Sequence, residues 1–319
     1  MASRGVTAAA YSMLCVIWGS TWLAIKVGLE GAPAFLGASL RFVVAALTLF
    51  GLAAVLRSKL PRTRTEWTLI AFVGVALFTF DYGLIYWGEN NGVESGLSAI
   101  LFATMPLQTA LLAHGFLAEE RLTRQKMAGI GLGFLGLLLV FRGQLETAGV
   151  GKFLPMAAIA ASATCAAAST VAVKRWGHDA DPITFNGFAM ATGAVGLAIL
   201  SIAAGEAWTP PSWPAGIGAI LYLGLVGSVV AFVTFLWLLK RIEATSMSFI
   251  ALVTPIVAVF LGVSLGNEIL DPLAIAGASI TLAGIYLSAS RRVASLVRGL
   301  MGVGVAPDAP GPGRVDPKR

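Results

Sequence analysis

Long apolar stretches recur along the whole chain and are separated by short polar connections. Ten windows of this kind can be placed, over residues 8–27, 35–56, 66–87, 95–117, 126–141, 152–174, 183–204, 215–239, 245–265 and 272–290. A helix of roughly 20 apolar residues crosses a bilayer core about 30 Å thick. The pattern therefore predicts an all-α integral membrane protein with ten transmembrane helices.

The composition excludes a soluble domain and changes the interpretation of the basic charge. Hydrophobic residues make up 57% of the chain and charged residues only 12%, whereas soluble domains carry about 25% charged residues. A net charge of +6 can indicate a nucleic-acid partner. Here, however, Lys and Arg occur in short clusters between apolar windows, as topology signals do. We expect the lipid bilayer as the environment and no nucleic-acid partner.

The positive charges also predict the orientation of the chain. If the ten windows alternate across the membrane, eighteen of the 22 Lys and Arg residues fall on one side. The other side holds Lys26, Arg142 and Lys152, and Arg41 lies within a span. Cytoplasmic segments retain Lys and Arg, so both termini are expected in the cytoplasm. The segment 291–319 is rich in Pro, Gly and charge and is expected to be a disordered cytoplasmic tail.

An internal repeat relates the two halves, 1–145 and 150–290, at a spacing of 148 or 149 residues. The paired residues are Lys26 and Lys174, Pro33 and Pro182, Glu94 and Glu243, Pro106 and Pro255, Glu120 and Glu268, Gly129 and Gly277, and Gly136 and Gly284. Each half holds five predicted spans. Because this number is odd, the second copy begins on the opposite side of the membrane and has inverted topology. Inverted repeats are a recurring architecture of secondary transporters, because two such halves can expose one central site to each side alternately. An old duplication kept for stability is the alternative.

Three segments carry a resemblance to a known family. They are IWGSTWLAIKVGLEGAPAFLGASLRF at 17–42, AEERLTRQKMAGIGLGFLG at 118–136 and the looser copy GNEILDPLAIAGASITLAG at 266–284. The chain resembles the drug/metabolite transporter superfamily, its EamA-type group and, within that group, the YddG-like amino-acid exporters. The resemblance implies two inverted five-helix repeats and export of small metabolites, commonly amino acids, across a bacterial inner membrane.

The second half departs from the pattern of the first at two places. Ala166 and Ala167 replace Trp18 and Gly19, and Met190 replaces Arg41. We therefore expect the first half to supply more of the transport chemistry.

Two prolines at matching positions of the repeats, Pro106 and Pro255, predict broken helices. Such breaks point to a transport site, because the freed backbone carbonyl groups need a cavity or a partner. Thr104, Gln108 and Thr254 lie within a turn of these prolines and can offer hydrogen bonds to a substrate. Kinks required only for packing are the alternative.

Two charged residues, Arg41 and Asp81, lie clearly inside predicted spans, where charges are costly and a functional role is the first hypothesis. Each lies about six residues from the same membrane face, which corresponds to a depth of about 9 Å at the helical rise per residue. The preferred interpretation is an ion pair between helices two and three. In the alternative, Arg41 binds a substrate carboxylate and Asp81 its ammonium group.

Aromatic residues supply further candidates. Trp18, Tyr82 and Tyr86 are candidates for the cavity, since aromatic faces can hold a side chain or a cation. Trp22 and Trp87 lie near helix ends and are expected to be interfacial anchors.

Small residues and end-of-helix acids give two structural expectations. The small residues of spans five and ten suggest close helix packing or dimerisation; they are Gly129, Gly133, Gly136, Gly277 and Gly284. Glu120 and Glu268 follow predicted helices at opposite faces, which suggests helix capping, the preferred interpretation, or a gate.

The remaining function classes are disfavoured by the sequence. A primary pump would require a GxxxxGK[ST] loop, and a zinc peptidase an HExxH motif; neither occurs. An intramembrane enzyme is thus the less favoured alternative, and we expect no catalytic residue, cofactor or metal. A drug-cation antiporter would be expected to have an acid in the first helix, and residues 8–27 hold none. A multidrug or other metabolite exporter of the same fold stays open, as does the oligomeric state, for which a monomer is sufficient.

Overall fold

The structure is a computed structural model, and it describes residues 4–117, 123–148, 150–239, 250–269, 272–273, 275–284 and 286–287. The helices in this part of the chain are numbered in chain order. They are α1 (Arg4–Leu29), α2 (Ala34–Leu56), α3 (Arg64–Asn90), α4 (Ser95–Phe116), α5 (Arg124–Ala148), α6 (Phe153–Trp176), α7 (Pro182–Ala203), α8 (Ala215–Leu238), α9 (Ile250–Ser264) and α10 (Ile275–Gly284).

Seven of these helices, namely α1 to α4 and α6 to α8, are long and apolar enough to cross a membrane. The other three contain shorter apolar segments, Met127–Val140, Val253–Ser264 and Ile275–Gly284, which lie in the remaining three predicted windows. The chain therefore has an all-α, multi-pass membrane fold, as predicted. Glu120 and the predicted tail 291–319 lie outside the described residues.

Consecutive helices run in opposite directions, so the bundle has two ends. We call one the Lys26 end, because α1 finishes there beside the start of α4 at Glu94. The opposite one, the Arg64 end, holds the start of α3 and the end of α6, where Arg175 donates a hydrogen bond to the Phe116 carbonyl at 2.6 Å.

Acidic side chains satisfy the backbone N–H groups at the starts of two helices. At the Lys26 end, Glu206 accepts hydrogen bonds of 2.9 Å from the N–H groups of Phe35 and Leu36. At the Arg64 end, Asp181 accepts from the first turn of α7. The first N–H groups of a helix lack intrahelical partners, so these carboxylates fix where α2 and α7 begin.

The largest core lies where α2 packs against α7, with α3 and α8 beside them. Its fully buried members include Phe42, Phe78 and Met190. Helix α1 packs against α8 and α9, and α6 packs against α3 and α4. Residues from both halves of the chain thus surround the middle of α2 and α3.

The glycines predicted in spans five and ten bring α5 and α10 into backbone contact. A Cβ atom on Gly136 would lie 2.5 Å from the Gly277 carbonyl oxygen, and one on Gly284 would lie 2.6 Å from the Gly129 oxygen. Thr281 adds a 3.2 Å hydrogen bond to the Gly133 carbonyl. These glycines therefore serve internal packing, one of the two roles expected from the sequence.

Candidate functional site

The guanidinium of Arg41 is buried inside the bundle, and no described acidic residue forms a salt bridge with it. The residue is 1% exposed. Its Nε donates to the Ser228 hydroxyl at 3.1 Å, while Nη1 and Nη2 have no hydrogen-bond partner among the described residues. The guanidinium carbon lies 4.6 Å from the Tyr82 ring centre and 5.0 Å from that of Phe42. Arg41 is thus held in place by aromatic rings and one hydroxyl, with two donor groups unused.

Asp81 lies in the same region but does not pair with Arg41. No salt bridge within 4.0 Å joins the two side chains in the described part of the chain, and the preferred ion pair is therefore a wrong prediction. Asp81 is 2% exposed, and its Oδ1 has no hydrogen-bond partner there. The neighbouring Ser162 hydroxyl donates instead to the Ile159 carbonyl at 2.8 Å. The common depth predicted for the two charges stays a prediction; it does not determine in which direction each side chain points from its helix.

Both charged regions are shaped by π-helical segments, Gly74–Asp81 in α3 and Leu225–Val230 in α8. Thr79 donates to the carbonyl five residues earlier at 3.0 Å, and Ser228 does the same at 2.9 Å. These hydroxyls are 149 residues apart, the spacing of the sequence repeat. A π-bulge turns the side chains that follow it and is frequent at functional sites. The two bulges set the direction of Asp81 and place Ser228 against Arg41.

Aromatic rings form a continuous cluster around this region. Trp18 contacts Phe232 at 5.5 Å between ring centres, Phe232 contacts Phe78 at 5.2 Å, and Phe42 contacts Tyr82 at 4.9 Å. The Trp18 Nε1 group is buried and has no hydrogen-bond partner among the described residues. Two of the predicted aromatic candidates therefore lie in the cluster that holds Arg41.

The other three tryptophan and tyrosine predictions have different outcomes. Trp87 is half-buried near the end of α3, and its role as an interfacial anchor stays a prediction. Tyr86 is 3% exposed and, like Tyr82, interacts electrostatically with the Arg41 guanidinium. Trp22, expected to be an interfacial anchor, is 6% exposed and packs on Phe102 at 5.4 Å. The anchor interpretation is wrong for Trp22, because its helix face points into the bundle rather than to the interface.

Helix α4 is interrupted near Pro106, where a second set of predicted residues meets. Its two segments are Ser95–Phe102 and Met105–Phe116, and Pro106 lies in the first turn of the second one, where a missing N–H is tolerated. Gln108 donates to Thr104 Oγ1 at 3.0 Å and to the Ala160 carbonyl at 3.2 Å.

The amide oxygen of Gln108 accepts a hydrogen bond from Thr164 on α6. Both ends of this side chain are therefore occupied by contacts that hold the interrupted helix to α6. In this conformation Thr104 and Gln108 bind protein groups.

Pro255 behaves differently from its counterpart in the first half. It lies inside α9, which runs without interruption from Ile250 to Ser264. Thr254, 8% exposed, contributes its carbonyl to the close approach of α1, where a Cβ atom on Gly19 would lie 3.3 Å from that oxygen and 2.4 Å from the Val257 Cβ. The expectation of two matching helix interruptions is thus met at Pro106 only.

A second polar centre, at the Lys26 end, was recognised only in part from the sequence. The Lys26 ammonium donates to Glu94 at 2.9 Å, to Glu268 at 3.0 Å and to the Gly266 carbonyl at 3.2 Å. We call Lys26, Glu94 and Glu268 the Lys26 cluster. It connects α1, the turn between α3 and α4, and the segment after α9, so residues from both halves of the chain close this end.

Glu268 is a helix cap, but it caps the start of α4 rather than the end of the helix that it follows. Its oxygens accept hydrogen bonds of 2.9 Å from the N–H groups of Ser95 and Gly96 and one of 2.5 Å from the Ser95 hydroxyl. A Cβ atom on Gly96 would lie 3.2 Å from one of these oxygens, and one on Gly262 only 2.3 Å. The carboxylate therefore occupies a space that two glycines leave open.

The cap predicts a pH-dependent contribution to stability. Burial opposes ionisation of the Glu268 carboxyl group. Hydrogen bonds from Ser95 and Gly96 and the ammonium group of Lys26 outweigh burial, so the pKa of this carboxyl lies below its usual value. A lowered pKa means that the stabilisation is complete above the unfolded-state pKa of about 4.3 and is lost as the pH falls further.

We expect Glu268→Gln to lower the free energy of unfolding at neutral pH by about 1–3 kcal/mol, since hydrogen bonds to a charged group are lost. The deficit relative to the unsubstituted protein should shrink below about pH 4, where Glu268 itself becomes protonated. Thermal unfolding of the purified protein in detergent, followed against pH, measures both. Glu94→Gln is the matched control, because Glu94 is 39% exposed and its ion pair contributes less. If Glu268→Gln lowers the free energy of unfolding by the same amount at all pH values, ionisation of Glu268 does not contribute to the cap.

A separate cavity of about 620 Å³ lies at the Arg64 end between α3, α4 and α6. Its walls include Leu69, Phe72, Leu112, Phe116 and Trp176. They are mostly apolar, and none of the predicted site residues lines it. Arg64, Thr65 and Thr68 supply the polar part of its lining.

Comparison with known proteins decides the family. The sequence matches the description of the EamA-like transporter family twice, over residues 5–142 and 154–290. The chain belongs to the EamA-like transporter family. It is therefore a membrane transporter of the EamA type within the drug/metabolite transporter superfamily, and the family indicates transport rather than enzymatic catalysis.

Several relatives of this EamA-like transporter are similar over most of their length. The uncharacterized inner membrane transporter YedA of Escherichia coli K12 is 30% identical, over 81% of this chain and 82% of that protein. The uncharacterized transporter YoaV of Bacillus subtilis is 27% identical over 86% and 93%. A probable amino-acid metabolite efflux pump of Salmonella typhimurium is 25% identical over 86% and 92%.

A solved structure supports the fold independently. One crystal structure, described only as that of a protein, has a TM-score of 0.66 with this transporter. The two sequences are 19% identical, and the match covers 91% of this chain and 99% of the other. The arrangement of helices around Arg41 thus belongs to a fold known from experiment.

Several residues that build the two polar centres were not identified from the sequence. Glu89 is buried near the end of α3, two residues beyond the predicted window 66–87, because the helix continues to Asn90. Ser228 carried no signal beyond its position in an apolar run. The sequence indicates Lys26 and Glu94 as members of the repeat, and Lys26 also as one of three cations on the side with few positive charges.

Proposed function

We propose that this protein is a secondary transporter that exports amino acids, or similar small metabolites with a carboxylate, across a bacterial inner membrane. The observation that carries the proposal is the Arg41 guanidinium, buried with Nη1 and Nη2 free of hydrogen-bond partners among the described residues. A guanidinium presents parallel donors that match a carboxylate. A buried cation without an anion is costly, and a substrate carboxylate would remove that cost.

The second half of a zwitterion has a candidate partner in Asp81. Its Oδ1 lacks a hydrogen-bond donor in the described part of the chain, and an ammonium group would supply one. Trp18, Tyr82 and Tyr86 provide aromatic surface for the remainder of the substrate. In this proposal Thr104, Gln108 and Thr254 enter the pathway only after the helices move, since Gln108 now binds Thr104 and Ala160.

The proposed mechanism is alternating access between two inverted five-helix repeats, 1–145 and 150–290, which together cross the membrane ten times. Equivalent hydrogen bonds at Thr79 and Ser228 support the repeat at the level of structure. In the orientation favoured by the positive charges, both termini and the tail 291–319 are cytoplasmic, and the Lys26 end faces outward. The Lys26 cluster then keeps the outer end closed in this conformation.

Localisation and substrate class are supported by the relatives. One of them is named as an inner membrane transporter and another as a probable amino-acid metabolite efflux pump. The second name agrees with a substrate that carries a carboxylate and an ammonium group. Amino acids are therefore the first substrates to test, ahead of uncharged drugs or other metabolites.

The test is transport of labelled amino acids into proteoliposomes that contain the purified protein. We expect uptake that is inhibited by unlabelled amino acids but not by the corresponding amino-acid amides, which lack the carboxylate. Empty liposomes give the background. If no amino acid moves under any imposed gradient, the proposed function is wrong. If amides compete as well as acids do, Arg41 does not select a carboxylate, and a broader metabolite or drug exporter is indicated.

A further inference from the structure

Glu89 is a buried acid that the proposed substrate site does not use. It is 7% exposed, and neither carboxyl oxygen has a hydrogen-bond partner among the residues that the structure describes. The nearby Ser98 hydroxyl donates to the Glu94 carbonyl at 3.0 Å instead. Buried polar groups are nearly always hydrogen-bonded, so a carboxyl group without donors requires an explanation.

The charged groups that face Glu89 are Lys26, Glu94 and Glu268. The single cation among them is already occupied, because the Lys26 ammonium has three donors and uses them on Glu94, Glu268 and the Gly266 carbonyl. One Lys and two carboxylates leave the cluster with one excess negative charge. An ionised Glu89 would add a second negative charge at a buried position where no described residue donates a hydrogen bond to it, whereas a bound proton makes the residue neutral.

Glu89 lies behind the contacts that close the Lys26 end. The turn after α3 leads within a few residues to Glu94, which binds Lys26, and then to the start of α4, which Glu268 caps. On the other side, α6 is in close contact, since a Cβ atom on Gly88 would lie 2.5 Å from Ile159. Separation of Glu94 from Lys26 would therefore open the turn and admit water to Glu89.

We propose that Glu89 is a proton-binding site of the transporter, filled from the outside water when the Lys26 end opens and sealed by the Lys26 cluster when it closes. The inference rests on the proposed transport function, because only an opening of this end connects Glu89 to water. The proton comes from water on that side and binds a carboxyl oxygen of Glu89. When the transporter opens to the cytoplasm, the proton leaves Glu89 for the cytoplasmic water. One proton therefore moves inward as substrate moves outward.

The first measurement does not depend on any substrate. Infrared difference spectra of the purified protein are recorded against an alkaline reference. The spectra of the acidic and of the neutral sample should both contain the C=O stretch of a protonated carboxyl group. This band should be absent from Glu89→Gln and present in the matched control Asn90→Gln, whose side chain is exposed. A band that is unchanged in Glu89→Gln overturns the assignment of the proton to Glu89.

The second measurement tests coupling in proteoliposomes with the pH dye pyranine trapped inside. An outward gradient of an amino acid that the protein transports should move protons inward in the unsubstituted protein and in Asn90→Gln. In Glu89→Gln, exchange of the amino acid should be the same with and without a pH gradient. Glu89→Asp, which keeps a titratable group, should retain coupling with an altered pH dependence. This variant tests the proposal even if Glu89→Gln does not fold.

The outcomes separate this inference from the proposed function. If no amino acid is transported but the infrared band depends on Glu89, the transport proposal fails and the proton site stands. If transport occurs and Glu89→Gln remains coupled to the pH gradient, the proton site is wrong while the transport function stands. Coupling to a sodium gradient instead of a pH gradient also overturns the inference.

Discussion

Replacing Arg41 by methionine should sharply reduce transport of carboxylate-bearing substrates while leaving the purified protein at least as stable as before. The guanidinium carries a charge into the core without a carboxylate in contact, in the part of the chain that the structure describes. Methionine fills a similar volume without the cost of burying a charge. The loss of two hydrogen bonds to a carboxylate, each worth about 1.5–3 kcal/mol, corresponds to at least a roughly hundredfold increase in KM.

The matched control is Arg57→Met, at the exposed end of the same helix, which should change neither transport nor stability by much. Arg41→Lys keeps the charge but loses the planar pair of donors, and an intermediate KM is expected. KM and the maximal rate are measured in proteoliposomes, and the midpoint of thermal unfolding is measured in detergent. A structural Arg41–Asp81 pair would give the opposite stability result, a loss of about 3–5 kcal/mol on removal of one partner. That loss, with unchanged KM, would restore the ion-pair interpretation.

The substrate site and the closed end each combine both halves of the chain. Arg41 comes from the first half, but its Nε is oriented by Ser228 of the second. Lys26 comes from the first half, and Glu268 of the second binds it and caps α4. The expectation that the first half supplies most of the chemistry stays a prediction. In the proposed site the charged groups, Arg41 and Asp81, belong to the first half, and Ser228 of the second half binds Arg41.

The sequence predicted the helices well because each span is determined by local apolar length. All ten predicted windows overlap a helix among the described residues. It did not predict the π-helical segments of α3 and α8, which depend on tertiary contacts such as the packing of Thr192 against Gly74. Hydropathy measures how apolar a stretch is, and a π-bulge leaves that quantity unchanged.

The polar centres were predicted less completely because contacts depend on direction around the helix axis. Arg41 and Asp81 were recognised as buried charges at one depth, but depth alone could not show that Arg41 points to Ser228. Glu89 was missed because it lies at the end of an apolar window, where acids are usually solvated. Trp22 was misassigned for the related reason that a position near a helix end does not reveal which face is buried.

A single methyl group on Gly136 should destabilise the protein, whereas the same change at Gly131 on the same helix should not. A Cβ atom on Gly136 would lie 2.5 Å from the Gly277 carbonyl oxygen and 2.5 Å from the Thr281 backbone nitrogen, and neither can move without displacing α10. Nothing lies within 4 Å of a Cβ atom on Gly131. Alanine is preferred to glycine in a helix by up to about 1 kcal/mol, so Gly131→Ala is expected to be neutral or stabilising.

Overpacking at Gly136 typically costs about 1–3 kcal/mol, and this should exceed the gain in helix propensity. The two variants are compared by the midpoint of thermal unfolding in one detergent. Gly136→Ala should lower the midpoint relative to the unsubstituted protein, whereas Gly131→Ala should leave it unchanged or raise it. Gly284→Ala should repeat the loss, because its Cβ atom would lie 2.6 Å from the Gly129 oxygen. Equal midpoints for Gly131→Ala and Gly136→Ala would mean that α5 and α10 do not approach closely. The glycines would then be available to a second copy of the chain, which is the dimerisation alternative.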